Sequence, residues 1–172
     1  TVLVTGSSRG IGLELCKQLK ERGDRVIATC RQSTDALAAL GVEILENVDV
    51  SDPKSLKLLS ARLKERKIDW LVNNAGVLQS VSLDDLDMDC IANFKKMFDV
   101  NSLGPLLATK SLLKHLGSGS KVGLITSRMG SIADNDSGGS YGYRMSKAAA
   151  NAAGKSLAID LKSQAVSYTH LT

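Results

Sequence analysis

Apolar residues in this chain alternate between two rhythms, short unbroken runs and stripes at helical spacing, and the alternation predicts strands followed by helices. Val2-Leu3-Val4-Thr5, stopped by Gly6, reads as a buried parallel strand. Ile11, Leu15 and Leu19 then recur on one helical face, with Glu14, Lys17 and Lys20 elsewhere, until Gly23 ends the helix. Residues 25–30 predict a second strand, 35–40 a short helix and 42–45 a third strand. Ser51-Asp52-Pro53 places a capping side chain just before proline at the first helical position, and Leu56, Leu59 and Leu63 give the following helix its stripe. Residues 68–72 form a fourth strand, broken by Asn73-Asn74-Ala75-Gly76. A long helix from about Ile91 runs past Phe94 and Phe98 toward His115; Pro105 either kinks it or sits where a neighbouring group compensates for the missing donor. Residues 121–126 predict a fifth strand, and an alanine-rich helix spans roughly 142–162.

Strands and helices in this order predict an α/β fold, a Rossmann-type doubly wound parallel sheet, with ligands bound at the carboxyl ends of the strands. One dinucleotide-binding domain is expected over residues 1–166. The composition agrees: with only 3% aromatic residues the interior must be built from Val, Ile, Leu and Ala, as in a sheet covered by helices.

The formal charge of +4 comes from Lys and Arg interspersed with acids, as in 17–25 and 54–67. These read as solvated helix faces, and no basic cluster interleaved with aromatics points to nucleic acid. Cys16, Cys30 and Cys90 are odd in number and widely spaced, which fits neither a disulfide framework nor a metal site and implies reduced thiols in a cytoplasmic setting. No apolar stretch approaches the ~20 residues of a membrane span.

The chemistry gathers at strand ends. In Gly6-Ser7-Ser8-Arg9-Gly10-Ile11-Gly12 the glycines permit a tight turn and close backbone approach, and the next helix offers unpaired N–H groups to a pyrophosphate. After the second strand, where dinucleotide-binding folds often carry an acid for the ribose hydroxyls, stand Cys30 and Arg31. Arg31 together with Arg9, and no carboxylate, favours a 2′-phosphate, hence NADP over NAD. Tyr143 and Lys147 are four residues apart on one helix, so the ammonium can approach the phenol and favour its ionised form. Tyr141 is an internal control, since its neighbour at that spacing is Met145. Ser127, just after the fifth strand, can place a hydroxyl near the same substrate oxygen, with Ser131 as its nearest competitor.

Together these residues resemble the short-chain dehydrogenase/reductase family across nearly the whole chain. The 5–12 turn looks like its cofactor motif, Asp49-Val50 like the pair that contacts adenine, and Asn73-Asn74-Ala75-Gly76 like its structural and cofactor-lining motif. Asn101, Ser127, Tyr143 and Lys147 match its catalytic tetrad in order. The longer interval between Ser127 and Tyr143 is similar to the C-factor-like or sniffer-type carbonyl reductase branch. The resemblance implies hydride transfer between NADPH and a small-molecule carbonyl or alcohol. Tyr143 acts as general acid, Ser127 bonds the same oxygen, Lys147 tunes the phenol and binds ribose, and Asn101 holds a water that relays protons. The implied cofactor contacts are Gly6, Ser8, Arg9, Gly10, Ile11, Gly12, Arg31, Asp49, Val50, Asn73, Ala75 and Gly76, with Tyr143 and Lys147. A non-catalytic NADP-binding sensor or signalling protein is the alternative. The alanine-rich face after Lys147 would suit a homodimer.

One departure stands out. The family continues into a sixth strand and a Pro-Gly turn, but the prolines here are Pro53 and Pro105; Ala165-Val166 could start the sixth strand, yet 167–172 does not continue like the family. The sheet is therefore expected to be truncated before its last strands, the chain to be a fragment, and the nicotinamide side to be open to water.

Overall fold

The computed structural model describes residues 1–171. Six parallel strands form one sheet in the order β3-β2-β1-β4-β5-β6: β1 Val2–Thr5, β2 Val26–Thr29, β3 Glu43–Leu45, β4 Trp70–Asn73, β5 Lys121–Ile125 and β6 Ser167–Leu171. The order reverses between β1 and β4, which opens a crevice at the carboxyl ends of those strands.

Because side chains alternate along a strand, each strand feeds two cores. Leu3, Ile27, Leu71 and Val122 point to one face. There they meet Leu56, Leu59 and Leu63 of α3 (Pro53–Leu63) and Ala108 and Leu112 of α5 (Gly104–Leu112). Val2, Val4, Val26, Ala28 and Val72 point to the other face. There they meet Cys16 and Leu19 of α1 (Gly10–Glu21) and Leu37 of α2 (Asp35–Ala39). Each leucine of the α3 stripe is fully buried, worth about 2 kcal/mol apiece. The Asp52 carboxylate accepts the Lys54 N–H at 2.9 Å and Pro53 opens the helix, so the predicted start of α3 is the observed one.

Two expectations are sharpened. The long central helix is not continuous: α4 (Cys90–Phe98) gives way to a π-helical stretch, Asp99–Leu103, before α5 resumes. In an α-helix the Asn101 carbonyl would accept the N–H of residue 105, and proline has none; the widened turn absorbs that mismatch and leaves Pro105 in the first turn of α5. The sheet also carries a sixth strand further than its possible start at Ala165-Val166. Ser167–Leu171 pairs in parallel with Lys121–Ile125 along its full length, following a left-handed Ala165 that turns the chain back from α6 (Tyr141–Asp160). Ser167–Leu171 mixes polar and apolar residues, so only Ala165-Val166 hinted at this strand in the sequence; the pairing is supplied by the edge of β5. Among the described residues no helix is long and apolar enough to cross a membrane.

Candidate active site

A cavity of about 1010 Å³ runs along the strand ends from the β2 terminus, past the glycine turn, to α6. Its first wall is backbone. Gly6 has φ 69°, in the left-handed region, and a Cβ there would press on Cα of Ala75 at 2.7 Å. Gly12, inside α1, has no room for a side chain against the Gly6 carbonyl and the Asn74 amide. The two glycines thus let β1, the 74–75 turn and α1 close on one another. Thr5 ties this corner: its Oγ1 accepts the N–H groups of Asn74 and Ala75, both at 3.1 Å. Asn74 Nδ2 donates to the carbonyls of Thr5 and Gly6 at 2.9 and 3.1 Å. Among the described residues no side chain caps α1, so its first N–H groups remain available to an anion.

Ser8, Arg9, Gly10, Ile11, Arg31, Asp49 and Val50 line the same cavity. Burial alone would raise the Asp49 pKa, but bonds from the N–H and hydroxyl of Ser51, with the charges of Arg31 and Lys96, outweigh it and lower the value. Asp49 is thus a fixed anion whose oxygen is held by Ser51 at 2.9 and 2.6 Å. Val50 sits deeper because Gly104 leaves it room.

At the other end the wall is side chain. Asn101, fully buried in the π-helical stretch, grips residue 77 twice: Oδ1 accepts the Val77 N–H and Nδ2 donates to the Val77 carbonyl, both at 2.8 Å. Nδ2 also donates to Ser146 Oγ at 3.0 Å, and Ser146 in turn donates to the Tyr143 carbonyl at 2.8 Å. Lys147 is 4% exposed; its ammonium donates to the Ile125 carbonyl at 2.9 Å and lies 5.8 Å from the Tyr143 ring centre. Burial pulls its pKa down to about 8. Gly76 fits between these groups, since a Cβ there would lie 3.4 Å from Asn101 Oδ1 and 3.8 Å from Lys147 Nζ.

The structure therefore brings Tyr143, Lys147, Ala75, Gly76 and the glycine turn to one cavity, with Asn101 directly behind it. Two expected residues stand apart. Asn73 does not line the cavity: it is 2% exposed and its Nδ2 donates to Thr109 Oγ1 of α5 at 3.1 Å, because successive residues of β4 face opposite sides. Asn74 takes the cavity-facing role. Ser127 lies just outside the lining, which Ile125 and Thr126 reach; its Oγ accepts the Met129 N–H at 3.2 Å, and its own proton has no acceptor among the described residues. Sequence reasoning named Asn74 only within the 73–76 motif and not among the cofactor contacts, and it missed Val77, Ser146, Lys95 and Lys96, the two lysines lining the cavity from α4 at helical spacing with Ala92 and Asp99. That spacing was the available signal for the lysines.

A family model described as short chain dehydrogenase matches residues 1–171, so Ser167–Leu171, expected to fall outside the resemblance, lies within the match. The chain is 42% identical over 169 residues to 1-hydroxy-2-glutathionyl-2-methyl-3-butene dehydrogenase of Rhodococcus sp. (strain AD45), covering 97% of this chain and 74% of that enzyme. Among solved structures, the NADPH-bound carbonyl reductase from chicken fatty liver superposes with a TM-score of 0.86 at 27% identity, covering 99% of this chain and 77% of that one. The carbonyl reductase Sniffer of D. melanogaster gives 0.84 at 28% identity, with 96% and 77% covered.

Proposed function

This chain is an oxidoreductase that belongs to the short chain dehydrogenase family, and we propose that it reduces a small-molecule carbonyl with NADPH, using Tyr143 as the proton donor. One observation carries the reading: the glycine turn, Gly76, the Tyr143 ring and the buried Lys147 ammonium all open on a single cavity.

The residues present fit a dinucleotide. Gly6 and Gly12 let the turn close tightly enough to put bare backbone on the cavity wall, and the start of α1, uncapped among the described residues, suits a pyrophosphate. Asp49 and Val50 would hold the adenine. Arg9 and Arg31, both exposed at the cavity edge, would take a 2′-phosphate, which is why NADPH is favoured over NADH. When bound, the cofactor supplies the hydride.

The rest is protein chemistry. Tyr143, whose hydroxyl makes no hydrogen bond among the described residues, gives its proton to the oxygen that gains charge as the carbonyl is reduced. Ser127 donates a second hydrogen bond to that oxygen. Lys147 steadies the phenolate left behind, and two of its protons remain for a ribose hydroxyl and a water. The Asn101 carbonyl, deprived of its α-helical donor by Pro105, is the natural acceptor for that water, through which the proton is replaced.

Tyr143→Phe tests the assignment, with NADPH affinity by calorimetry and turnover of a reactive dicarbonyl by cofactor absorbance. Unchanged affinity with turnover lowered at least ~10²-fold supports it. Turnover that survives the change removes Tyr143 from the chemistry, and tight NADPH binding by a wild-type protein that turns over nothing favours a cofactor sensor instead.

A further inference from the structure

Gly138, Gly139 and Ser140 are three consecutive left-handed residues, with φ 62°, 60° and 50°, immediately before the helix that carries Tyr143. Glycine adopts that conformation readily, but serine does not, and a left-handed serine persists only where its surroundings hold it. Ser140 is buried and held on two sides. Its N–H donates to the Val81 carbonyl at 2.8 Å, and its hydroxyl meets that of Ser80 at 2.8 Å. From the helix side Arg144 gathers the turn: Nε donates to the carbonyls of Gly138 and Gly139 at 3.3 and 3.2 Å, and Nη2 to Ser137 Oγ at 2.9 Å. Its Nη1 is buried without a partner among the described residues. No carboxylate pairs with this guanidinium among them, so two carbonyls and the Ser137 hydroxyl are its hydrogen-bond acceptors.

The turn also reaches the cavity. Val77 and Leu78 line it, and the short segment they begin is fixed at one end by Asn101 on Val77 and at the other by Ser140 on Ser80 and Val81. Arg144 thus lies one residue from Tyr143 and, through Ser140, controls the far anchor of the wall that faces it.

Resting on the reductase reading, we propose that Arg144 is a positioning residue: it holds the left-handed turn in the shape that fixes both the start of the Tyr143 helix and the 77–81 segment, whose Val77 and Leu78 line the cavity where a carbonyl substrate would lie. It touches neither substrate nor cofactor. A planar fork of donors can collect two carbonyls and a hydroxyl together, whereas an ammonium cannot reproduce that spread.

The test compares the full chain with Arg144→Gln, Arg144→Lys, Arg144→Ala and the exposed Ser80→Ala, reading kcat and KM for a reactive dicarbonyl, NADPH affinity and amide exchange at Ser140. In Arg144→Gln, kcat is expected to fall about tenfold with NADPH affinity unchanged, since sub-ångström misplacement of a proton donor acts on rate. The Ser140 amide should exchange faster, Arg144→Lys should not restore the rate, and millimolar methylguanidinium should partly restore it in Arg144→Ala. Ser80→Ala should move the same readouts less, and stands in if the arginine variants fail to fold. Unchanged kcat and Ser140 exchange in Arg144→Gln, or equal losses in kcat and NADPH affinity, would overturn the proposal. A wild type that binds NADPH but reduces nothing would instead sink the reductase reading; Ser140 exchange would then decide the structural half, an unchanged rate overturning it.

Discussion

Around Gly6 to Gly12 the cavity is shaped by main chain: two absent side chains, an uncapped helix and cations exposed at the edge. Around Lys147 it is shaped by buried side chains whose hydrogen bonds run between elements distant in sequence, from Asn101 to Val77 and Ser146, and from Lys147 to Ile125. The first end can hold a ligand with little reorganisation, because nothing there has to be desolvated in advance. The second keeps an ammonium away from water before any ligand arrives, and the fold bears that cost continuously. Binding and catalysis should therefore separate cleanly under mutation.

The largest effect is expected at the most committed side chain. Asn101→Ala strands the N–H and carbonyl of Val77 and removes a partner from Ser146, and should destabilise the fold by about 3 kcal/mol in denaturant titration. Loss of less than about 1 kcal/mol would mean that residues 77–81 are held mainly by Ser140.

Lys147→Met should act in the opposite direction. The folded-state pKa of Lys147 is about 8 against a usual 10.5, so below pH 8 both states are protonated and folding bears the full cost of burying the charge. Between pH 8 and 10.5 the unfolded chain binds more protons, and wild-type stability rises by up to about 3 kcal/mol. Lys147→Met should therefore be more stable than wild type at pH 7, unable to turn over substrate, and should lose its stability advantage across that window. Parallel melting curves of the two proteins from pH 7 to 10.5 would contradict the burial argument.

At the main-chain end the effects are smaller and confined to binding. Arg31→Gln should weaken NADPH binding by roughly 1.5 kcal/mol, about tenfold, and leave NADH binding nearly unchanged, both by calorimetry. Equal loss for the two cofactors would make Arg31 a general electrostatic contributor and remove the argument for a 2′-phosphate.

The same contrast explains what could be read from the sequence. Strands β1 to β5, the cap of α3 and the glycine turn follow from local rules, and Tyr143 with Lys147 follows from helical spacing. Asn74 against Asn73 depended on which way two adjacent residues of a strand end face, which a register shift of one would invert. The Asn101 clamp and the Ser146 link join residues 24 and 45 positions apart, and no periodicity encodes such pairs. Pro105 did carry a signal, since a proline inside a helical pattern frees the carbonyl four residues earlier, and that carbonyl belongs to Asn101. For the sixth strand only a possible start at Ala165-Val166 was legible, and its run through Ser167–Leu171 was not, because its partner, the edge of β5, is specified elsewhere in the chain.

The most direct measurement follows the hydride itself. The protein is incubated with a reactive dicarbonyl and NADPH carrying deuterium at both positions of nicotinamide C4, and the product is weighed by mass spectrometry. The account predicts an alcohol carrying one deuterium at the former carbonyl carbon, formed by wild type and not by Tyr143→Phe. Unlabelled alcohol, or labelled alcohol formed equally well without the Tyr143 hydroxyl, would contradict it.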